Sequence, residues 1–320
     1  MMHIKVLATD ISAFYETGFG GIESCHNFYM SIKPFYDNVS FHVIRDLDNL
    51  RTILKEKSDL IVCGFKYLKV NDNIVWMSQL LDDLGINYLG NPKNVLDYDS
   101  DKEKAKIRVS AIGLPTAKFK ILTPDIDIRN TISDLKYPLF AKPLATACSF
   151  GVDDNSFITS YNQLKNKVNE IDELYKDKAL VEEYLPGREF TVGIIGNNND
   201  LLVAPIELGE FSLDGYQFLT RNVKMDNLEN ARYIRENKLR NMLSEYSKKI
   251  YTELGICDFA RIDFKLDLNG IPNFLEVNLL PGFNKGRSYF PLAFEKNFGF
   301  SYEDTVNKVV QAGIKRNKLL

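Results

Sequence analysis

Histidine is scarce in this chain: three in 320 residues, His3, His26 and His42, all within the first 42. Chemistry further along must therefore work without imidazole. Cysteine is also sparse. Cys25, Cys63, Cys148 and Cys257 lie far apart with no CxxC pair, which argues against a zinc site or a disulfide framework and for reduced thiols in a cytosol. No apolar run approaches the roughly 18 residues of a membrane span, and Met1–Asp10 meets a charge too early for a secretory signal. Neither sign of charge dominates: 40 Lys and Arg face 43 Asp and Glu, a net charge of −3. The chain therefore has no global basic field to hold nucleic acid or an acidic membrane. What remains, 45% hydrophobic and 26% charged with 19 Gly and 11 Pro, is ordinary globular composition and excludes disordered and fibrous classes.

The segments alternate. Ile4–Ala8, Phe41–Ile44 and Leu60–Cys63 read as strands, with a Gly-rich turn at Gly18–Gly21 leading into a helix and a second helix over Val75–Leu84. This pattern predicts an open, mostly parallel α/β sheet over residues 1–98. Asp and Ser within Asp99–Asp101 can cap a helix that Gly113 and Pro115 stop. Strands are expected at 117–122, 139–142 and 179–184, with a helix over 161–171. Beyond Pro186-Gly187 the pattern is strand-rich: 189–195, 201–207, 259–266 and 272–277, with helices over 237–254 and 302–314. Three lobes are predicted, at 1–98, 99–185 and 186–320.

Chemistry concentrates late in the chain. A strand over Phe259–Leu266 puts Arg261, Asp263 and Lys265 on one face. Glu276 and Asn278 likewise sit two apart, with Pro281-Gly282 just after. Two carboxylates and an amide oxygen are hard ligands suited to Mg²⁺. An exposed sheet face with scattered charges would produce the same pattern.

EVNLLPGF, with ARIDF upstream, resembles the C-terminal signature of the ATP-grasp ligases, in the D-alanine–D-alanine ligase branch. DKEKAKIRVSAIGLPT, YPLFAKP and LVEEYLPGREFTVGI resemble that family's other segments, in order, over roughly residues 88–312. Each segment is weak alone, and their register together carries the resemblance. It implies an α/β ATP-grasp fold, in which an N-terminal open parallel sheet precedes two α+β lobes that sandwich the nucleotide. It also implies an ATP-dependent carboxylate–amine ligase. ATP phosphorylates a carboxylate, and an amine attacks the acyl phosphate to give a dipeptide-like amide, ADP and phosphate. The implied cofactors are ATP and Mg²⁺, two ions that Mn²⁺ can replace. The implied partners are small amino-acid-like substrates and a second copy of the chain in a homodimer, in the cytoplasm.

The same resemblance implies roles for individual residues. Lys102 and Lys142 match the phosphate-binding lysines, Glu182, Glu183, Tyr184 and Leu185 the adenine hinge, and Glu189 the ribose-binding acid. Asp263, Glu276 and Asn278 match the Mg²⁺ ligands. Arg261 and the backbone N–H of Gly282 match the groups that steady the acyl phosphate and the tetrahedral oxyanion, and Glu23 the acid that meets the first substrate's amine. A solvated helix-start lysine and a charged surface strand are the bland counterparts for Lys102 and the hinge.

Three departures bear on substrate. The phosphate loop keeps Ser149 and Gly151, but Ala147 stands for a glycine and Cys148 for a serine tied to substrate handling. A thiol donates hydrogen bonds poorly, so that link should weaken. In the loop that lays a lysine over the γ-phosphate, Arg221 or Lys224 is left to supply the charge. At the acceptor's carboxylate, Arg287 replaces a serine and Ser288 follows it. An arginine there can clasp a carboxylate bidentately and suits a larger or more acidic acceptor. The product is then D-alanyl-D-alanine or a related dipeptide. The alternative is a nucleotide-binding protein that has lost ligase activity. A nicotinamide-dependent oxidoreductase is disfavoured because Glu23 stands where the glycine fingerprint needs its third glycine.

Overall fold

The computed structural model describes residues 2–9, 18–70, 73–146, 151–209, 212–213, 216–217 and 231–319. Strand β1 (His3–Thr9) runs through the middle of a parallel sheet. It pairs on one side with β2 (Asn38–Ile44) and on the other with β3 (Leu60–Cys63). Parallel neighbours need crossover connections, which α1 (Ile22–Ile32) and α2 (Leu47–Lys55) supply. β2 begins three residues before the expected strand because it pairs along all of β1. Lys5, fully buried in β1, is satisfied by donating to the carbonyls of Ile53 and Glu56, both at 2.7 Å, where α2 ends.

The expected helix over Val75–Leu84 is shorter than its pattern suggested. Tyr67–Val70 (β4) and Asn73–Trp76 (β5) form a hairpin, and only Met77–Asp83 (α3) is helical. Ile74, Val75 and Trp76 are β-branched or aromatic and suit a strand, and the Trp76 ring meets Tyr67 edge-on at 5.1 Å. β6 (Tyr88–Leu89) closes the sheet in the order β2-β1-β3-β6.

Two helices follow, α4 (Lys93–Ser100) and α5 (Lys102–Ala111). Asp101 is the cap between them, accepting from the Lys104 N–H at 3.0 Å. The central sheet is antiparallel, in the order β7-β10-β8-β9: β7 (Phe119–Leu122), β8 (Leu139–Pro143), β9 (Phe157–Ile158) and β10 (Ala179–Glu183). The short helix α6 (Ile128–Thr131) precedes β8. Helix α7 (Tyr161–Tyr175) covers one face through Leu164, Val168 and Ile171 and starts from a Ser160–Gln163 capping box.

The third sheet is built on β11 (Glu189–Asn197) and β12 (Asp200–Glu207). A short ribbon follows, β13 (Ser212–Leu213) with β14 (Tyr216–Gln217). With β15 (Arg232–Tyr233), β16 (Phe259–Leu266) and β17 (Pro272–Asn278), the order is β15-β12-β11-β16-β17. Helix α8 (Asn237–Glu253) buries Leu243, Ile250 and Tyr251 in a core with β11 and β16. Val95 and Leu96 of α4 and Ala105 and Val109 of α5 join that same core. Helices α9 (Tyr289–Phe298) and α10 (Tyr302–Arg316) contribute Phe290, Phe294, Val306 and Val310 to a second core shared with β1 and α1. Gly193 lets α9 approach closely, since a Cβ there would lie 2.8 Å from the Phe294 ring. Fully buried Asp258 links the lobes. It accepts from Arg316 on both oxygens at 2.9 Å, from the Gly90 N–H at 2.8 Å and from Asn197 at 3.0 Å.

Candidate active site

The central and C-terminal sheets face each other across a cleft. Alternation along each strand decides what lines it. From the central lobe, β8 sends Phe140 and Lys142, β10 ends on Glu182 and Glu183, and the chain leaving β10 adds Tyr184 and Leu185. From the C-terminal lobe, β11 contributes Glu189, β16 Asp263 and Lys265, and β17 Leu275 and Glu276. Lys102 enters from the first residue of α5. The cleft thus brings together most of the expected nucleotide residues.

A bulge shapes the C-terminal wall. Asp263 pairs with Glu276, but Phe264 pairs with Phe274, so Leu275 is the extra residue. A bulge re-aims side chains, and here the consecutive residues Leu275 and Glu276 both line the cleft. Leu275, Phe140, Val152 and Ala117 give it an apolar part, the kind of surface a flat heteroaromatic ring fills.

The lysines are held differently. Lys102 Nζ donates to the carbonyls of Leu144 and Thr146 at 3.1 and 2.6 Å. Burial pulls its pKa below the ordinary lysine range, against the attraction of Glu276. Those carbonyls open the segment expected to be the phosphate loop, of which Cys148 and Ser149 lie outside the described residues. Its last glycine, Gly151, has φ +76°, and a Cβ there would sit 2.5 Å from Pro143, so only glycine fits. Lys142 Nζ lies 2.9 Å from Glu182 Oε2. Burial disfavours its charge, but Glu182, Glu276 and Glu189 outweigh burial and raise its pKa.

Two further lysines, given no role in the sequence reading, belong to the site. Lys106, fully buried, lies 2.5 Å from Glu182 Oε1. Lys265 lies 3.5 Å from Glu189, its partner across β16 and β11. Both had a readable signal. Lys106 follows Lys102 by one helical turn, and Lys265 follows Asp263 on the same strand face.

Asp263 accepts four hydrogen bonds. Arg261 donates to both of its oxygens, at 3.1 and 3.0 Å. The Thr191 hydroxyl donates to Oδ1 at 2.5 Å and Asn278 to Oδ2 at 3.1 Å. Glu276 is its direct cross-strand partner. Like charges placed directly opposite are unfavourable, and a cation between them would offset that cost. Among the described residues no group of three His, Cys, Asp or Glu gathers as a metal cage. Two carboxylates plus the Asn278 amide nonetheless fit a hard cation that takes its remaining ligands from phosphate and water.

Gly282, Arg287 and Ser288 follow β17 on one loop and Glu23 lies in α1, and none of the four lines the cleft. Gly282 is tight against Ser288, whose Oγ would lie 2.9 Å from a Cβ at that position. Ser288 Oγ accepts from the Asn284 N–H at 2.8 Å. Arg287 is exposed on the same turn, and Glu23 is exposed in the first turn of α1. The two loops are joined: the Phe283 N–H donates to the Phe19 carbonyl at 2.8 Å, and the Ser24 hydroxyl bonds to the Asn284 amide oxygen. Arg221 and Lys224 lie outside the described residues.

Residues 109–311 match the family model described as D-ala D-ala ligase C-terminus. A D-alanine–D-alanine ligase of Aquifex aeolicus is 30% identical over 232 residues, covering 72% of this chain and 75% of that protein. One from Carboxydothermus hydrogenoformans is 27% identical over 292 residues, covering 89% and 90%. Among solved structures, the D-alanine–D-alanine ligase of Bacillus anthracis complexed with ATP superposes with a TM-score of 0.78 at 20% identity, over 100% of this chain and 99% of that one. The VanG D-Ala:D-Ser ligase of Enterococcus faecalis gives 0.71 at 17% identity, over 98% and 99%. At these identities the solved structures establish the ATP-grasp fold alone.

Proposed function

The chain belongs to the D-alanine–D-alanine ligase family of ATP-dependent enzymes, and from that premise we propose that it joins two amino acids, or an amino acid and a related amine. The reaction runs through an acyl phosphate and releases ADP and phosphate. One observation carries the reading: Lys102 and Lys142 line a single cleft together with the carboxylates Glu189, Asp263 and Glu276.

Phosphoryl transfer depends on positioning and electrostatics more than on covalent chemistry. Lys142 from the central lobe and Lys102 from the start of α5 meet the phosphates. Adenine takes the apolar part between Phe140, Val152 and Leu275, and Glu189 accepts from the ribose hydroxyls. Asp263, Glu276 and Asn278 would hold Mg²⁺, which when bound neutralises charge building on the transferred phosphoryl group. Arg261, already aimed by Asp263, and the Gly282 N–H meet the oxyanion that forms when the amine attacks. The hard-oxygen donors and the absence of histidine beyond His42 agree with a mechanism built on fixed charge. The enzyme acts in a reducing cytosol, where Cys25, Cys63 and Cys257 remain free thiols. Among the described residues no helix is long and apolar enough to cross a membrane.

A screen for ADP and phosphate release over pairs of D- and L-amino acids tests the reaction. Mg²⁺-dependent turnover with some pair is expected. ATP binding with no turnover for any amine would instead mark a nucleotide-binding protein without ligase activity.

Arg287 makes the acceptor testable. We read its guanidinium as the clasp for the acceptor's carboxylate, so Arg287→Ser should shift acceptor preference toward smaller amines. The acceptor KM should rise roughly 10- to 100-fold with little change in kcat, as for lost ground-state binding. An unchanged substrate profile would return Arg287 to a solvated turn. D-alanine alone supporting full wild-type activity would end the idea of an altered acceptor.

A further inference from the structure

Lys142 reaches the cleft as the outer member of a buried row, Lys106–Glu182–Lys142. Glu182 puts Oε1 2.5 Å from Lys106 and Oε2 2.9 Å from Lys142. Lys106 is fully buried and does not line the cleft, whereas Lys142 does. An ammonium has three donors and no acceptor; Lys106 donates to the Thr116 hydroxyl at 2.8 Å and the Phe274 carbonyl at 3.3 Å and forms an ion pair with Glu182. The pocket around it is built for a charged lysine.

A Glu182–Lys142 pair alone would be neutral and would offer little to a triphosphate. We propose that Lys106 is a positioning residue for nucleotide binding: it occupies one oxygen of Glu182, so that Glu182 does not cancel the positive charge Lys142 presents to the phosphates. The proposal rests on reading the cleft as the nucleotide site. It assigns Glu182 the part of an internal counter-ion, not that of a nucleotide ligand. Burial lowers the pKa of Lys106, opposed chiefly by Glu182. The same two ammonium groups overcome burial to hold the Glu182 carboxyl below its usual range.

Calorimetric titration of the full-length protein with MgATP and, separately, with adenosine separates charge from shape. Lys106→Met keeps a similar volume and leaves the Thr116–Phe274 hydrogen bond of 2.9 Å intact. ATP affinity should fall roughly tenfold, the order expected for one charge removed several ångströms away at an effective dielectric of about 20. Adenosine, which carries no phosphate, should bind as before. Lys106→Met with Glu182→Gln restores the charge count, so ATP affinity should return to within about threefold of wild type. A purely structural role does not predict that removing a second partner rescues binding. Unchanged ATP affinity in Lys106→Met, equal loss of ATP and adenosine, or no rescue in the double variant would each overturn the proposal. If the single variant does not fold, the double variant decides by the same comparison with wild type. Wild-type protein that binds neither ligand would overturn the nucleotide reading itself.

Discussion

Glu276→Ala is expected to lower ligase turnover about a thousandfold, the upper scale seen when a group stabilising transition-state charge is removed, while leaving the ligand-free protein as stable as wild type. The two halves of that expectation have one cause. Glu276 sits directly opposite Asp263 across β16 and β17, with Asp263 already bound by Arg261, Asn278 and Thr191. In the free protein a second carboxylate there is a like charge beside a satisfied one, so its removal relieves repulsion. The loss is also felt at Lys142 and Lys102, since Glu276 favours the charged form of both. With Mg²⁺ bound, the same carboxylate would serve as an oxygen ligand, and its absence would leave charge on the transferring phosphoryl group unmet. Steady-state ADP release and a thermal melt without ligand measure the two effects. Near-normal turnover would refute the metal assignment, and a large drop in melting temperature would make Glu276 a structural residue.

That prediction uses a pairing only partly legible in the sequence. Period-two alternation placed Arg261, Asp263 and Lys265 on one face and Glu276 with Asn278 on another, and both strands formed nearly where expected. Which rung of β16 faces which rung of β17 was not legible, because the bulge at Leu275 shifts the register between Asp263 and Phe264. Local signals also carried Leu60–Cys63, whose four apolar residues are bounded by polar and glycine residues. They failed over Val75–Trp76, where a helix-like spacing competed with β-branched and aromatic residues and hairpin pairing prevailed. Helix α9 escaped for another reason. Tyr289–Phe294 is one apolar run, with Pro291 in the first turn, and the polar residues Glu295–Asn297 follow it. Apolar and polar residues are thus separated along the helix more than around it, which blurs the amphipathic period. Its proline sits where a helix tolerates one.

Glu182→Ala should be the most destabilising single change in the cleft, costing about 3–5 kcal/mol, the range for removing one member of a buried ion pair. Glu182 was read from the sequence as one of a run of hinge residues, since its two partners come from α5 and β8 and only the fold joins them. Without its carboxylate, Lys106 and Lys142 become neighbouring cations with their common counter-charge gone. Lys106 has no exposure to water with which to compensate. Alanine also leaves a void between the two sheets. In the wild type this carboxyl titrates below the ordinary glutamate range, because the two ammonium groups overcome its burial. A depressed native pKa means that the stability it contributes is fully present above the unfolded-state pKa and is lost as pH falls through the lower native value. Chemical denaturation of wild type and Glu182→Ala from neutral to acid pH should therefore show a gap that is constant near neutrality and narrows at the acid end. A gap that widens on acidification would mean that Glu182 is protonated in the native protein, and the row of charges running from Lys106 to the cleft would not exist.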